Sequence, residues 1–164
     1  MSKASKASLL ALAGFGLATA GAAWYGSRYS RGSRDPWYRE LRKPSFTPPD
    51  KAFPIVWTAL YALIAYSGWR VWNAAPSRER RLALRMWVSQ LAANAKWSKL
   101  FFGERRPVLA LVDIFALESS IISYIAAAHK VDRAAAYAFI PYGAWVAFAT
   151  VLNAEILRLN PELR

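Results

Sequence analysis

The sequence contains no cysteine and a single histidine among its 164 residues. Without thiols the chain forms neither a disulfide nor a thiolate nucleophile, and Cys-based metal sites are excluded. The one histidine, His129, stands beside Lys130 in a predicted loop, where a solvated side chain is the ordinary interpretation. The sequence shows no hydrolytic triad, metal cluster or nucleotide-binding loop, so we expect no metal site and no conventional catalysis.

Acidic residues are also scarce, since ten Asp and Glu stand against 22 Lys and Arg and the formal net charge is +12. A basic balance of this size is compatible with nucleic-acid binding. However, the cations flank apolar runs and form no separate basic helix or patch in the sequence. We therefore expect no nucleic-acid partner, and we assign these cations to the headgroups of anionic membrane lipids.

Apolar residues are abundant: 55% of the chain is hydrophobic and 15% is aromatic, with eight tryptophans. They gather in runs of about 20 residues, the length that crosses a bilayer as a helix, and the charges crowd between the runs. The sequence thus predicts one all-α membrane domain over residues 1–164, a bundle of five transmembrane helices. The predicted spans are about 8–26, 52–73, 82–102, 108–128 and 134–157.

The first span also resembles a secretory signal peptide, because Lys3 and Lys6 precede an apolar stretch that ends in small residues. An apolar stretch of about 18 residues is long for a signal core. We therefore favour a retained helix over a cleaved signal. The Lys and Arg are shared almost equally between the two predicted sides of the membrane, so their distribution does not decide the orientation.

The segment between the first two spans is unusually stiff. It contains "LRKPSFTPPDKAFPIVW" at residues 41–57, in which Pro44, Pro48 and Pro49 restrict the backbone and lower the entropy lost on ordering. Asp50 is placed to cap the second helix, and Pro54 is tolerated in its first turn. This pattern predicts that the 27–51 loop is a preformed lid.

Lys96, Lys99, Asp113 and Glu118 fall inside the predicted spans, where charged residues are costly unless paired. The third and fourth spans form a hairpin around "GERRP", and a rise of 1.5 Å per residue places Asp113 level with Trp97. We expect Asp113 to pair with Lys96 or Lys99, and Lys99 to extend towards the helix end. Glu118 gains no obvious cation.

Two stripes of aromatic and amide residues lie at helical spacing. In the third span the stripe consists of Trp87, Gln90, Asn94, Trp97 and Phe101. Such a stripe either lines a pocket or holds helices together, and spacing alone leaves both interpretations open. The fifth span contains a second stripe with a proline near its start. Its members are Trp145, Phe148, Ala149 and Asn153, and the proline is Pro141.

Five ordered blocks of the sequence resemble the TspO/MBR family, the tryptophan-rich sensory and translocator (peripheral-type benzodiazepine receptor) proteins. They are "WYRELRKPSFTPP", "FPIVWTALY", "QLAANAKWSKLFFG", "RRPVLALVDI" and "PYGAWVAFATVLN" with the following "LRLN", over about residues 36–160. The resemblance implies a dimeric five-helix membrane protein with a pocket under the first loop. It implies binding of protoporphyrin IX or haem without a required cofactor, and of sterol in some members.

Carried onto this chain, the resemblance and the stripes together predict a ligand site. Its residues are Tyr38, Trp57, Asn94, Trp97, Trp145, Phe148 and Ala149. The basic loop residues Arg39, Arg42 and Lys43 are candidates to meet the propionates of the ligand. Some family members degrade protoporphyrin in light, which the resemblance associates with the positions of Trp57 and Trp145.

The chain departs from the family pattern at Ala93, Lys99, Glu118 and Val151. Val151 replaces the tyrosine of a cholesterol-recognition pattern, so we do not expect sterol binding through that motif. The leading interpretation is a binding or sensing protein for tetrapyrroles in a bacterial envelope membrane, or in the mitochondrial outer membrane if the chain is eukaryotic. The alternatives are a light-dependent porphyrin-degrading enzyme and a transporter, although no inverted repeat favours transport.

Overall fold

The fold is all-helical in the part of the chain that the computed structural model describes, residues 3–30 and 35–163. Residues 31–34, which belong to the predicted 27–51 loop, lie outside the described residues. A π-helical turn, Lys99–Gly103, and a 3₁₀ turn, Pro161–Leu163, follow two of the α-helices. The α-helices are α1 (Lys3–Ser27), α2 (Pro36–Glu40), α3 (Ala52–Asn73), α4 (Arg78–Ser98), α5 (Pro107–His129) and α6 (Arg133–Leu159).

Four helices in the described residues are long and apolar enough to cross a membrane, namely α1 from Lys6 onward, α3, α5 and α6. The long helix α4 falls outside this group because its first two turns are rich in arginine. The predicted third span began at residue 82, whereas α4 already begins at Arg78. The charged first turn forms because the Ser77 side chain caps the helix, accepting a hydrogen bond from the Arg80 N–H at 3.0 Å.

The long helices pack side by side around a core of large side chains. Helix α5 lies between α4 and α6, while α3 packs against α1 and α6. Gly68 of α3 allows a close approach of its neighbours, because a Cβ atom there would lie 2.6 Å from Trp87 Nε1 and 2.7 Å from the Phe15 ring. The Phe15 and Trp87 rings meet edge to face at 4.7 Å. Helix α1 is thus fastened to the bundle through aromatic contacts over a glycine.

Two details at helix ends differ from expectation. Lys51, and not Asp50, occupies the N-cap position of α3, and the Lys51 side chain makes no capping hydrogen bond. Its first turn contains Pro54, as predicted, at a position where a proline removes no helical hydrogen bond. His129 is the last residue of α5 and not a loop residue; it is exposed, and its ring lies 6.0 Å from that of Tyr137.

The charged residues inside the spans are paired or hydrogen-bonded. Lys96 Nζ lies 2.9 Å from Asp113 Oδ1, which confirms the predicted ion pair across the α4–α5 hairpin. Lys99 reaches Glu104 at the helix end, with an N–O distance of 3.2 Å. Glu118 accepts a hydrogen bond from the Thr150 hydroxyl at 2.9 Å. The hairpin register worked out from helix rise is therefore the observed register.

Candidate functional site

A cavity of about 430 Å³ opens between the long helices, under the segment that joins α1 to α3. All five long helices contribute side chains to its wall, and Tyr38 of α2 and Asp50 contribute from the segment above. Each of the seven residues that the sequence predicted as a ligand site lines this cavity. They are Tyr38, Trp57, Asn94, Trp97, Trp145, Phe148 and Ala149.

A polar cluster lies at one wall of the cavity, on α3, α4 and α6. Asn94 accepts a hydrogen bond from the Tyr61 hydroxyl at 3.1 Å and donates one from Nδ2 to the Tyr142 hydroxyl at 2.9 Å. Tyr61 and Asn94 both line the cavity, while Tyr142 is fully buried behind them. The amide therefore fixes the two phenol rings, and its remaining hydrogen-bonding capacity is one donor and one acceptor site.

Tyr61 was not among the predicted site residues, although the sequence contains a signal for it. Tyr61 follows Trp57 by four residues, so the two side chains share one face of α3. Their rings stack with centroids 5.3 Å apart and an interplanar angle of 30°. A search for aromatic residues at helical spacing from Trp57 would have found this residue.

Nine of the residues that line the cavity are aromatic, and their rings contact one another around it. Trp145 meets Phe53 edge to face at 5.9 Å and lies 5.5 Å from Phe148. On the opposite side, Trp97 stacks on Phe101 at 5.2 Å with an interplanar angle of 21°. These rings pack against one another, by stacking or at their edges, and leave an apolar space between them.

The π-helical turn supplies two neighbouring rings to the same wall. Phe101 and Phe102 both line the cavity, with ring centroids 4.8 Å apart. The widened turn is closed by the Glu104 N–H, which donates to the Lys99 carbonyl at 2.8 Å. Consecutive residues of an α-helix point about 100° apart, whereas the π-turn allows both rings to meet one space. Helical spacing does not reveal such a turn.

The stripe along α4 divides into two parts, so both interpretations left open above are correct for different residues. Trp87 and Gln90 are core residues: Trp87 Nε1 donates to the Ile64 carbonyl at 2.9 Å, and Gln90 is fully buried. Farther along the helix, Asn94, Trp97 and Phe101 line the cavity. The stripe changes from core residues to cavity-lining residues within one helical turn, between Gln90 and Asn94.

The roof of the cavity is Tyr38, which is only 6% exposed. Its ring lies 5.5 Å from that of Phe102, and the ammonium of Lys43 lies 4.5 Å from its centroid on a cation–π contact. Burial raises the pKa of Tyr38, and the negative charge of Asp50 acts in the same direction. Burial lowers the pKa of Lys43 against the opposing effect of Asp50.

The three basic residues expected to meet propionates do not line the cavity. Arg39 and Arg42 are exposed on the outer side of the segment, and Lys43 covers Tyr38 from above. Lys43 also lies 3.2 Å from the Leu41 carbonyl oxygen, to which its ammonium donates. These cations therefore surround the roof of the cavity without entering it.

The sequence is similar to known proteins over most of its length. A sequence model of the TspO/MBR family matches residues 14–159. The chain belongs to the TspO/MBR family. The match covers the five blocks that carried the resemblance and extends into α1, which lines the cavity with Ala23 and Gly26.

Several curated TspO/MBR relatives are similar over most of their length. Protein CrtK of Rhodobacter capsulatus is 36% identical over 155 residues, covering 94% of this chain and 95% of its own. The translocator protein of Bos taurus is 35% identical over 153 residues, covering 92% and 90%. The tryptophan-rich sensory protein of Cereibacter sphaeroides is 37% identical over 133 residues, covering 79% and 82%. With its four apolar helices, this TspO/MBR protein is an integral, multi-pass membrane protein.

Proposed function

We propose that this protein binds porphyrins and haem-like tetrapyrroles in the cavity beneath residues 35–51, as a membrane binding or sensing protein. The observation that carries the proposal is a chamber of about 430 Å³ lined by nine aromatic residues, with one amide–phenol cluster. Pockets for small molecules are commonly of this kind, apolar with a few placed polar groups. No cofactor is required for binding of this type.

A flat macrocycle suits the walls of this chamber. Trp57, Trp97 and Trp145 present ring faces or edges to the space, and stacking is favourable for a large conjugated ligand. Tyr61 and Asn94 offer hydrogen bonds at the polar wall.

We further propose that α4 crosses the membrane, so that the bundle has five spans. Its arginines occupy the first two turns, where they reach the headgroup layer. Beyond Arg85, the cations of α4 and its π-turn are Lys96 and Lys99, and both are in ion pairs. We expect a homodimer in a bacterial envelope membrane, with membrane lipid or sterol as a second class of partner; the family resemblance supports these assignments.

Titration with protoporphyrin IX in the dark tests the proposal. We expect low-micromolar binding that quenches tryptophan fluorescence, and we expect the double variant Trp57→Phe, Trp145→Phe to lose most of that quenching. The matched control is Trp24→Phe, Trp72→Phe, because these two tryptophans are 63% and 48% exposed and do not line the cavity. Quenching that is unaltered in the cavity variant would rule out this site.

A light-dependent breakdown of the bound porphyrin is a second candidate function. It is favoured by the position of Trp57 and Trp145 in the cavity wall, where an excited porphyrin would contact indoles that are readily oxidised. The discriminating measurement is the decay of the Soret band under illumination, in the presence and absence of protein. Equal decay in both samples would leave binding as the function and remove the enzymatic one.

A further inference from the structure

Asn160, just beyond the end of α6, is bonded to the main chain of the segment that covers the cavity. We call residues 35–51 the lid. Asn160 Nδ2 donates to the Arg42 carbonyl at 2.9 Å, and Asn160 Oδ1 accepts from the Arg42 N–H at 3.0 Å. The same Nδ2 donates to the Ile156 carbonyl at 2.7 Å. The side chain is almost completely enclosed, with the residue 2% exposed.

This bonding pattern requires a carboxamide. The side chain supplies a donor and an acceptor to the two polar groups of one peptide residue, as a neighbouring β-strand would. Both hydrogens of the amide nitrogen are used, one by the lid and one by α6. A side chain with a hydroxyl or a carboxyl group at position 160 would leave at least one of the three partner groups unsatisfied.

Arg42, to which Asn160 is hydrogen-bonded, lies directly beside the roof of the cavity. Leu41, the residue before Arg42, is buried in a cluster with Tyr38, Leu152 and Ile156. The last three of these residues also line the cavity. Holding Arg42 therefore holds the part of the lid that closes the chamber.

The other attachments of the lid are less directional. Arg105 lies 3.7 Å from Asp35 with a half-exposed guanidinium, and ion pairs of this kind contribute little to stability. Arg42 Nη1 also donates a long, exposed hydrogen bond to the Leu159 carbonyl at 3.4 Å. Ring pairs add further contacts, Tyr38 with Phe102 at 5.5 Å, Trp37 with Phe101 at 5.8 Å and Phe46 with Phe148 at 6.1 Å. Ring pairs tolerate sliding, whereas a reciprocal hydrogen-bonded pair is either formed or broken.

We propose that Asn160 is a latch that keeps the lid closed and thereby sets how fast a ligand enters and leaves the cavity. Asn160 is a positioning residue, since it does not line the chamber itself. The proposal rests on the proposed function only for the identity of the ligand, because closure of the lid can be measured without one.

The decisive variant is Asn160→Asp, which keeps the size of the side chain and one acceptor oxygen. It loses both donors and sets a carboxylate oxygen against the carbonyls of Arg42 and Ile156, so the latch is broken. The matched control is Asn73→Asp at the end of α3. Asn73 is exposed, and its Nδ2 bonds only the Trp69 carbonyl of its own helix, at 2.8 Å. Asn160→Ala breaks the latch without adding charge, in case the acidic variant does not fold.

Two measurements on the full-length protein in lipid nanodiscs test the latch. Hydrogen–deuterium exchange of peptides within residues 36–48, without ligand, reports lid opening. Stopped-flow quenching with protoporphyrin IX gives the association and dissociation rate constants. Loss of two hydrogen bonds is expected to speed lid exchange and both rate constants by about ten-fold, with Kd nearly unchanged. Asn73→Asp should behave as the unmodified protein.

A parallel rise in both rate constants is not produced by damage to the chamber itself, which would raise Kd. Unchanged lid exchange in both Asn160 variants would overturn the latch. Faster exchange with unchanged rate constants would overturn control of ligand passage and would mean that the ligand enters elsewhere. If the unmodified protein binds no porphyrin, the proposed function fails, while lid exchange still decides whether Asn160 closes the lid.

Discussion

The two halves of this bundle are built from the same helices but pack differently: one half is closely packed, and the other contains the cavity. In the half near the α5–α6 connection, Tyr124 and Phe139 are fully buried with ring centroids 4.1 Å apart, and Ser67 bridges Tyr124 and the Ala135 carbonyl at 2.6 and 2.7 Å. In the other half, aromatic residues surround a chamber of about 430 Å³.

The difference follows from what stands beside the large side chains. Ala128, Ala135 and Ala136 are fully buried in the packed half, and their small side chains let the neighbouring rings pack closely. In the chamber half, stacked and edge-to-face ring pairs line the space, and rigid rings do not collapse to fill it. The packed half is therefore closed by small residues between rings, whereas the chamber half is kept open by rings that support one another.

The largest effect is expected from removing a large buried side chain in the closely packed half. Phe139→Ala should lower the free energy of unfolding by about 3–5 kcal/mol, because a cavity replaces a fully buried ring. The measurement is reversible unfolding in mixed micelles, with Tyr137→Ala as control because Tyr137 is 57% exposed on the same helix. A loss of similar size in both variants would show that burial does not distinguish the two positions.

Filling the chamber should have a smaller effect, and on binding instead of stability. Ala149→Leu places a larger apolar group in the wall, so we expect porphyrin affinity to fall about ten-fold while the unfolding free energy changes by less than about 1.5 kcal/mol. Ala147→Leu, at an exposed position of the same helix, serves as control. An Ala149→Leu protein that binds normally would place the ligand outside the chamber.

The smallest effect is expected from removing the charge of Asp132, which lies at the edge of the packed half. Burial acts to raise the pKa of Asp132, but hydrogen bonds from the Ala135 N–H and from Arg70 outweigh it, so the pKa is lowered from 3.8. A lowered folded-state pKa contributes stability above the unfolded value, and this contribution is lost as the pH falls through the folded value.

Asp132→Asn should therefore destabilise the protein at neutral pH by about 1 kcal/mol, since one cap bond and one partly exposed ion pair are weakened. The difference from the unmodified protein should shrink as the pH falls below the ordinary Asp value of 3.8, because the unfolded carboxylate is protonated first and the native one only at a lower pH. Thermal unfolding at both pH values checks this. A difference that is constant with pH would show that the charge of Asp132 does not contribute.

The sequence predicted much of this molecule because membrane helices leave a strong pattern. The length of the apolar runs located α3 within its observed bounds, and helix rise gave the Lys96–Asp113 pair across the α4–α5 hairpin. The seven predicted site residues line one cavity because helical spacing and the family resemblance point to the same faces. Whether they bind a tetrapyrrole stays a prediction.

Other features depend on backbone details that spacing does not encode. The start of α4 at Arg78 was missed because hydropathy discounts a charged first turn, although Ser77 is a good capping residue. The short helix α2 was read as loop, since five residues are too few for a periodic pattern. The bond between Asn160 and Arg42 joins positions 118 residues apart, which no local rule connects.

In the π-helical turn of residues 99–103, the number of residues determines the directions in which the side chains point. It contains one residue more than an α-helical turn would need, so deleting a single residue there would convert it to an ordinary helix end. In an α-helical turn, consecutive side chains point about 100° apart. Phe101 and Phe102 would then no longer face the same space. The length of this turn, to the single residue, therefore sets the orientation of one wall of the chamber.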